Sequence, residues 1–504
     1  MRRAAFFLVA LIFLVFPYPG AAEPVPGVSI AILHVNDFHG RLEPAKPKPG
    51  IDNVPTGGAA LLAGRIRQER EKDPGGTVLL SAGDMFQGTP ASNLFHGAPV
   101  LEIMNTLVFD AMALGNHEFD WGQDVLRRLR SGASFPFLSA TVTDNAGRLL
   151  PGILPYVLLE RKGVRIAVVG VSTPDTPYTT KRDNVEGLLF LEPVSALPEV
   201  VRQVRSKGVS VVVVLSHLGF EEDRKLASAV PGIDVIVGGH THTAVTKPVR
   251  IGGTVVAQAG SHGMYLGVVR LEADPKNGSV SHADSGSGLL PVLAAPGAPE
   301  DPEIARIVGS YRARLAGEFR RVVGKSDVDL VRDDNAESNV GNLLCDAARS
   351  ATGADVAFMN AYGIRADLPG GEITLEQVYT MLPFENTLMT VELTGNGIVS
   401  ALERGATLES GMLQVSGVAF RADLSRPAGS RVSDVRIGGA PLDPKRRYRA
   451  AVNDFLAAGG DRFYAFREGT GAAAGGNFRD AVLEYLRTRS PVSPRVEGRI
   501  TVVR

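Results

Sequence analysis

Residues Val209–His217 read Val-Ser-Val-Val-Val-Val-Leu-Ser-His, a valine-rich run that stops on a serine and a histidine. A run this apolar is too short to cross a membrane and too uniform for a strand with one wet face, so it reads as a strand buried on both sides. Ser29–Val35, Gly76–Gly83, Arg165–Ser172 and Ile233–His240 repeat the pattern. Helical stretches separate these runs, Ala59–Lys72 and Pro198–Lys207 among them, together with Gly/Pro turns. The alternation predicts a layered α/β domain from Val28 to about Leu290, its sheets flanked by helices.

Length and composition bound the rest. A chain of 504 residues exceeds one ordinary core and predicts two large domains. Lys plus Arg (53) nearly cancels Asp plus Glu (54), which argues against a nucleic-acid polymer as partner. Residues 1–22 carry Arg2 and Arg3, an apolar run from Ala4 to Phe16 and the small residues Gly20-Ala21-Ala22. They read as a signal peptide, giving an exported chain, periplasmic or extracellular, with no membrane span after cleavage. Cys345, the only cysteine, lies in "GNLLCDAA" and reads as a core residue of a helix.

Gly/Ser/Pro-rich sequence from Ala273 to Pro302 predicts an exposed hairpin and then a domain boundary. From Pro302 to Arg321, Ile304, Ile307, Val308, Tyr311 and Leu315 recur at helical spacing. That helix is compatible with a free hinge arm or with a docked surface helix. The expected division is 23–295 for the first domain, 296–321 for the linker helix region and 322–504 for an α+β second domain.

The strand ends carry the chemistry. Asp37 and His39 follow the first run, Asp84 the second, and "MALGNHEFD" brings Asn116, His117 and Asp120. His217 closes the opening stretch, and His240 and His242 follow "VIVGG". In open α/β sheets the carboxyl ends of strands line the ligand crevice, so these side chains are expected to converge. Five of the nine histidines lie here; His34, His96, His262 and His282 have no such company and read as packing or surface residues. The oxygen and nitrogen donors, with no thiolate, suit two divalent ions such as zinc or manganese sharing one carboxylate. Gly83, Gly115 and Gly239 stand where tight turns beside the ligands need them.

This series resembles the calcineurin-like metallophosphoesterases. "ESNVGNL" (Glu337–Leu343), "GIRADLP" (Gly363–Pro369), "LPFENTL" (Leu382–Leu388), "LQVSG" (Leu413–Gly417) and "NDFLAAGGD" (Asn453–Asp461) extend the resemblance to the 5'-nucleotidase family. The resemblance implies that Asp37, His39 and His242 hold one ion and Asn116, His217 and His240 the other, with Asp84 bridging. His117 and Asp120 match the family's catalytic dyad. Phe384 and Phe455 match its base-clamping aromatics, Arg365 a phosphate contact and Asp461 a ribose acceptor, with Asn360 beside them. Both phenylalanines also suit plain core packing.

Several positions depart from the family pattern. "NAYGIR" (Asn360–Arg365) replaces the common "NGGGIR", so Tyr362 puts a side chain where the backbone is usually open. An arginine usual before "ESN" is missing, with Arg332 a replacement from farther back, and Arg462 stands for a frequent glycine. The expected activity is 5'-nucleotidase hydrolysis by a monomeric enzyme acting on a small nucleotide substrate. A 2',3'-cyclic nucleotide phosphodiesterase, a UDP-sugar hydrolase, a relative of the sulfur-ester hydrolases on this scaffold and a non-catalytic nucleotide-binding protein are the alternatives.

Overall fold

A computed structural model describes residues 27–45, 54–274 and 279–504. The signal-peptide reading of residues 1–22 lies outside the described residues.

The first domain holds two six-stranded sheets. One runs in the order Val280–Pro291, Tyr265–Ala273, Val28–Val35, Thr77–Ser81, Ala111–Ala113, Phe137–Leu138. The other runs Val249–Ile251, Thr254–Gln258, Val235–Gly238, Val211–His217, Val164–Ser172, Tyr156–Arg161. In the second sheet parallel pairs occupy the middle and antiparallel strands close both edges; in the first, two antiparallel strands form one side and the strands from Val28–Val35 to the edge strand Phe137–Leu138 run parallel. Successive strand side chains face opposite ways, so each valine run feeds two cores. Val211 and Val213 pack between the sheets with Ile30, Ile32, Val78 and Leu80. Val212 and Val214 pack outward against Leu197, Val201 and Leu226 of the covering helices Pro193–Ser206 and Phe220–Ala229. On the far face of the other sheet, Leu33, Leu79 and Met112 meet helices Ala59–Lys72, Ala98–Thr106 and Gly122–Gly132. The result is a helix–sheet–sheet–helix sandwich. Each fully buried Val or Leu contributes about 1.5–3 kcal/mol, which makes the strand ends a rigid platform.

Two sequence expectations are refined. The second predicted helix starts at Pro193, one turn earlier than Pro198, which sits inside it. The linker helix, Pro302–Phe319, is docked on the first domain and is not a free arm. Asp301 caps it by accepting from Glu303 N and Ile304 N at 3.0 Å, Ile304 and Ile307 enter the first domain's core, and Tyr311 Oη donates to Glu102 Oε2 at 3.0 Å.

In the second domain a five-stranded sheet runs Gln414–Ser416, Val356–Met359, Arg447–Asn453, Thr387–Thr394, Thr470–Asn477. Ala357 and Met359 face a core with helices Asn339–Thr352 and Phe478–Arg489, while Val356 and Phe358 face one with helix Gly395–Gly405. Cys345 is fully buried in the first of these, and desolvation raises its thiol pKa, holding it protonated. No described helix is long and apolar enough to cross a membrane.

Candidate active site

Seven side chains from five strand ends meet at one edge of the sandwich. Ligand atoms of Asp37, His39 and His242 lie within 4.8 Å of one another, and those of Asp84, His217 and His240 form a second such trio. The chain bends sharply to present them. Asp37, His39, Asp84, His240 and His242 all take left-handed backbone, with φ between 50° and 75°. Such conformations cost energy in non-glycine residues and gather at functional sites. Gly115 allows the approach, since a Cβ there would fall 2.2 Å from Asp84 Oδ1.

Hydrogen bonds on the outer nitrogens show what the inner atoms offer. His217 Nδ1 faces the Ala82 carbonyl at 2.7 Å and must carry the proton, leaving Nε2 with a lone pair. That Nε2 is buried, makes no hydrogen bond and lies 2.9 Å from Asp84 Oδ2. His39 Nδ1 faces the Gln87 carbonyl at 2.9 Å in the same way, and its Nε2 lies 3.1 Å from His242 Nε2. Asn116 donates through Nδ2 to Thr179 O at 3.3 Å while its Oδ1 is buried without a partner.

Buried acceptors facing acceptors are costly unless a cation lies between them. A proton fills that role only between His217 and Asp84. Burial lowers the His217 pKa but the Asp84 carboxylate outweighs it and lifts the ring to about 10, whereas burial drives His39 well below its usual range and His240 to about 4. The donor set therefore fits divalent ions.

His117 begins a short 3-10 turn, His117–Phe119, just beyond Asn116. Its Nδ1 is 2.7 Å from Asp120 Oδ2, and its backbone N–H donates to Asp84 Oδ1 at 2.9 Å. Burial pulls the ring pKa down, but Asp120 and Asp84 more than compensate and raise it to about 9. Asp120 is held in turn by the Thr180 hydroxyl at 2.7 Å and, through its carbonyl, by Asn184 Nδ2 at 2.7 Å.

The second domain forms the opposite wall of a cleft of about 820 Å³. Phe384 lays its ring on His117, centroids 5.8 Å apart at 27°, and the Arg365 guanidinium sits 5.9 Å from the Phe384 ring centre. Phe455 lies over Gly460, where a Cβ would meet its ring at 2.5 Å. Asn360 Nδ2 donates to Asp461 Oδ2 at 3.3 Å and Asn360 Oδ1 accepts from Asn453 Nδ2 at 3.0 Å. Tyr362 and Arg332 also line the cleft; Arg332 Nε pairs with Asp367 at 3.2 Å.

Comparison with known proteins agrees with this geometry. Residues 30–244 match the calcineurin-like phosphoesterase model and residues 322–468 the 5'-nucleotidase C-terminal domain model. Human 5'-nucleotidase is 32% identical over 99% of this chain and 94% of its own length. The chain belongs to the 5'-nucleotidase family. A solved 5'-nucleotidase precursor from Thermus thermophilus superposes with a TM-score of 0.86 at 34% identity, covering 94% of this chain and 99% of that one. A trifunctional nucleotide phosphoesterase protein of Bacillus subtilis is 33% identical over 94% of this chain, which spans only 35% of that longer protein. As a member of this family the chain is a phosphoric ester hydrolase with a metallophosphoesterase domain, a fold whose members use divalent metals.

The family member also holds residues that sequence reasoning passed over. Asn36 donates to Asp37 Oδ2 at 2.7 Å and to Gly260 O at 2.6 Å, and accepts from Ala259 N at 2.8 Å. Glu118, fully buried, accepts from the backbone N–H groups of Asp84, Met85 and Gly115 at 2.7–2.9 Å and so ties two strand ends together. Burial and the Asp84 charge push its pKa up to about 7 against those amides. His262, read from sequence as packing or surface, instead lines the cleft, its ring 5.6 Å from both His39 and His242. Its place after a strand, in "AQAGSHG", was the available signal. Glu118 lies inside "MALGNHEFD" and Asn36 directly precedes Asp37, but only contacts show what they brace.

Proposed function

We propose that this chain is a 5'-nucleotidase that releases nucleoside and phosphate from nucleotide monophosphates with two divalent ions. The observation that carries the reading is the pair of ligand trios beneath His117, facing a cleft whose other wall bears aromatic rings and a guanidinium. Asp37, His39 and His242 would hold one ion, Asn116, His217 and His240 the other, with Asp84 between them. When bound, the ions acidify water and neutralise charge on the phosphoryl oxygens.

His117, held protonated at neutral pH by Asp120 and Asp84, would present its Nε2–H to the phosphoryl group and stabilise the charge that grows there or on the leaving oxygen. Asp120 fixes the ring's orientation through Nδ1. Arg365 adds a second fixed cation from the other wall. Phe455 offers a stacking face to the base, Phe384 covers the dyad and bounds the same space, and the Asn360–Asp461 pair supplies hydrogen-bond acceptors for ribose hydroxyls. Stacking grips any base with little discrimination. We place the substrate wall in residues 322–504, the metal wall in 23–295 and the linker region in 296–321. We read the chain as an exported monomer, periplasmic or extracellular.

A substrate panel run with and without added manganese or zinc tests the reading. Phosphate released from AMP and abolished by chelation is the expected result. Preferred turnover of 2',3'-cyclic nucleotides or UDP-sugars would reassign the substrate, and nucleotide binding without release would overturn catalysis altogether.

A further inference from the structure

The short segment Asp175–Lys181, which includes helix Thr176–Thr179, touches both the catalytic dyad and the opposite domain. Inward, the buried Thr180 hydroxyl donates to Asp120 Oδ1 at 2.7 Å, and the Thr179 carbonyl accepts from Asn116 Nδ2 at 3.3 Å. Outward, Asp175 pairs with Arg462 of the second domain, Lys181 Nζ lies 3.1 Å from Asp454 Oδ2, and the rings of Tyr178 and Tyr464 meet edge-on at 6.1 Å. The Arg462 guanidinium also lies 5.7 Å from the Tyr178 ring centre. The facing stretch, 454–464, carries Phe455 and Asp461 of the substrate wall. One strap thus spans the cleft mouth from the substrate wall to the dyad.

The two halves of the strap differ in strength. Side chains of Asp175 and Arg462 are 46% and 44% exposed, and an ion pair of that kind is weak and salt-screened, so it forms and parts at little cost. The Thr180–Asp120 bond is buried and donates to a carboxylate, which makes it the stronger link. Arg462 stands where the family pattern has a frequent glycine, and it holds a left-handed φ of 63° beside Asp461 at 53°. Arg404 Nε braces that turn by donating to the Asp461 carbonyl at 3.1 Å. A side chain kept on such backbone is best explained by the contact it makes.

We propose that Asp175, Thr180 and Arg462 are positioning residues: docking of the second domain on the strap sets Thr180 on Asp120 and so orients His117 for turnover. This rests on the nucleotidase reading above. The test uses the full metal-loaded chain and AMP, with kcat and KM measured separately. Arg462→Glu and Asp175→Arg should each lower kcat by about fivefold while KM moves less than about twofold, and the double reversal should return kcat to within about twofold of the parent. Thr180→Val should lower kcat by about tenfold, with Thr180→Ser restoring it. The proposal is overturned if the single reversals leave kcat unchanged, if the double variant is no better than the singles, or if Thr180→Val turns over normally. A parent chain inert toward AMP but active on another phosphate ester would sink the substrate reading alone, and the same variants would then be measured on that ester.

Discussion

One wall of the cleft is made of strand ends, and the other of loops. On the first, Asp37, His39, Asp84, Asn116, His217, His240 and His242 project from two sheets whose valines and isoleucines are sealed between helices, and their outer atoms are clamped by backbone carbonyls and amides. On the second, Tyr362, Arg365, Phe384, Phe455 and Asp461 stand on turns and short helices, partly open to the cleft. The contrast has a physical basis. Metal ligands must hold position to a fraction of an ångström, which a packed platform supplies. On the proposed reading this wall would admit and release a nucleotide, a task that loops and short helices suit better than packed strands.

Substitutions that break the strand-end wall should therefore cost far more than those on the looped one. Asp84→Ala removes the carboxylate of the second trio, the one proposed to lie between the two ions, and is expected to lower kcat on the order of 10³-fold or more, as chelation should, with the fold retained by circular dichroism. His117→Ala, with metal content verified by elemental analysis, should lower kcat by about 10²- to 10⁴-fold. Full activity in that variant would exclude the dyad from the chemistry. Asn36→Ala leaves every ligand in place but frees Asp37 and the loop at Gly260, and metal titration should show affinity weakened by about 10- to 100-fold.

On the other wall, Phe455→Ala should raise KM for AMP by about tenfold, the scale of one lost stacking face, while sparing turnover of a small aryl phosphate. An equal loss on both substrates would mean that the ring packs the wall and does not grip the base. The smallest effect concerns pH. Burial pushes the Asp461 carboxyl up to about 7 from 3.8, opposed by its hydrogen bond from Asn360. The folded state then binds this proton more tightly than the unfolded one. Its stabilising contribution is complete below about pH 4 and is lost as pH rises through about 7. Asp461→Asn should flatten the fall in Tm across that window; an unchanged slope would show that the carboxyl titrates normally.

How much of this could be read beforehand differs between the walls in the same way. Strand ends announce themselves, because a buried run must stop somewhere and the residue at its carboxyl end has one crevice to face; hence His217 and Asp84 were legible. His262 escaped because its company is spatial: the rings beside it belong to His39 and His242, more than two hundred and only twenty residues away respectively. Thr180 gave no signal at all, since a threonine in a loop looks alike whether it meets solvent or Asp120. The linker helix showed its apolar stripe, but only packing of Ile304 and Ile307 into the first domain decided that it is docked.

Sequence alone settled the periodicities, the placement of metal-type residues at strand ends and the family motifs, because these are local properties of the chain. Tertiary structure decided which lone pairs face one another, which carbonyls choose the tautomers of His39 and His217, and that one segment links Arg462 to Asp120. Those depend on distances between residues far apart in the chain, and a linear order of side chains carries no distances.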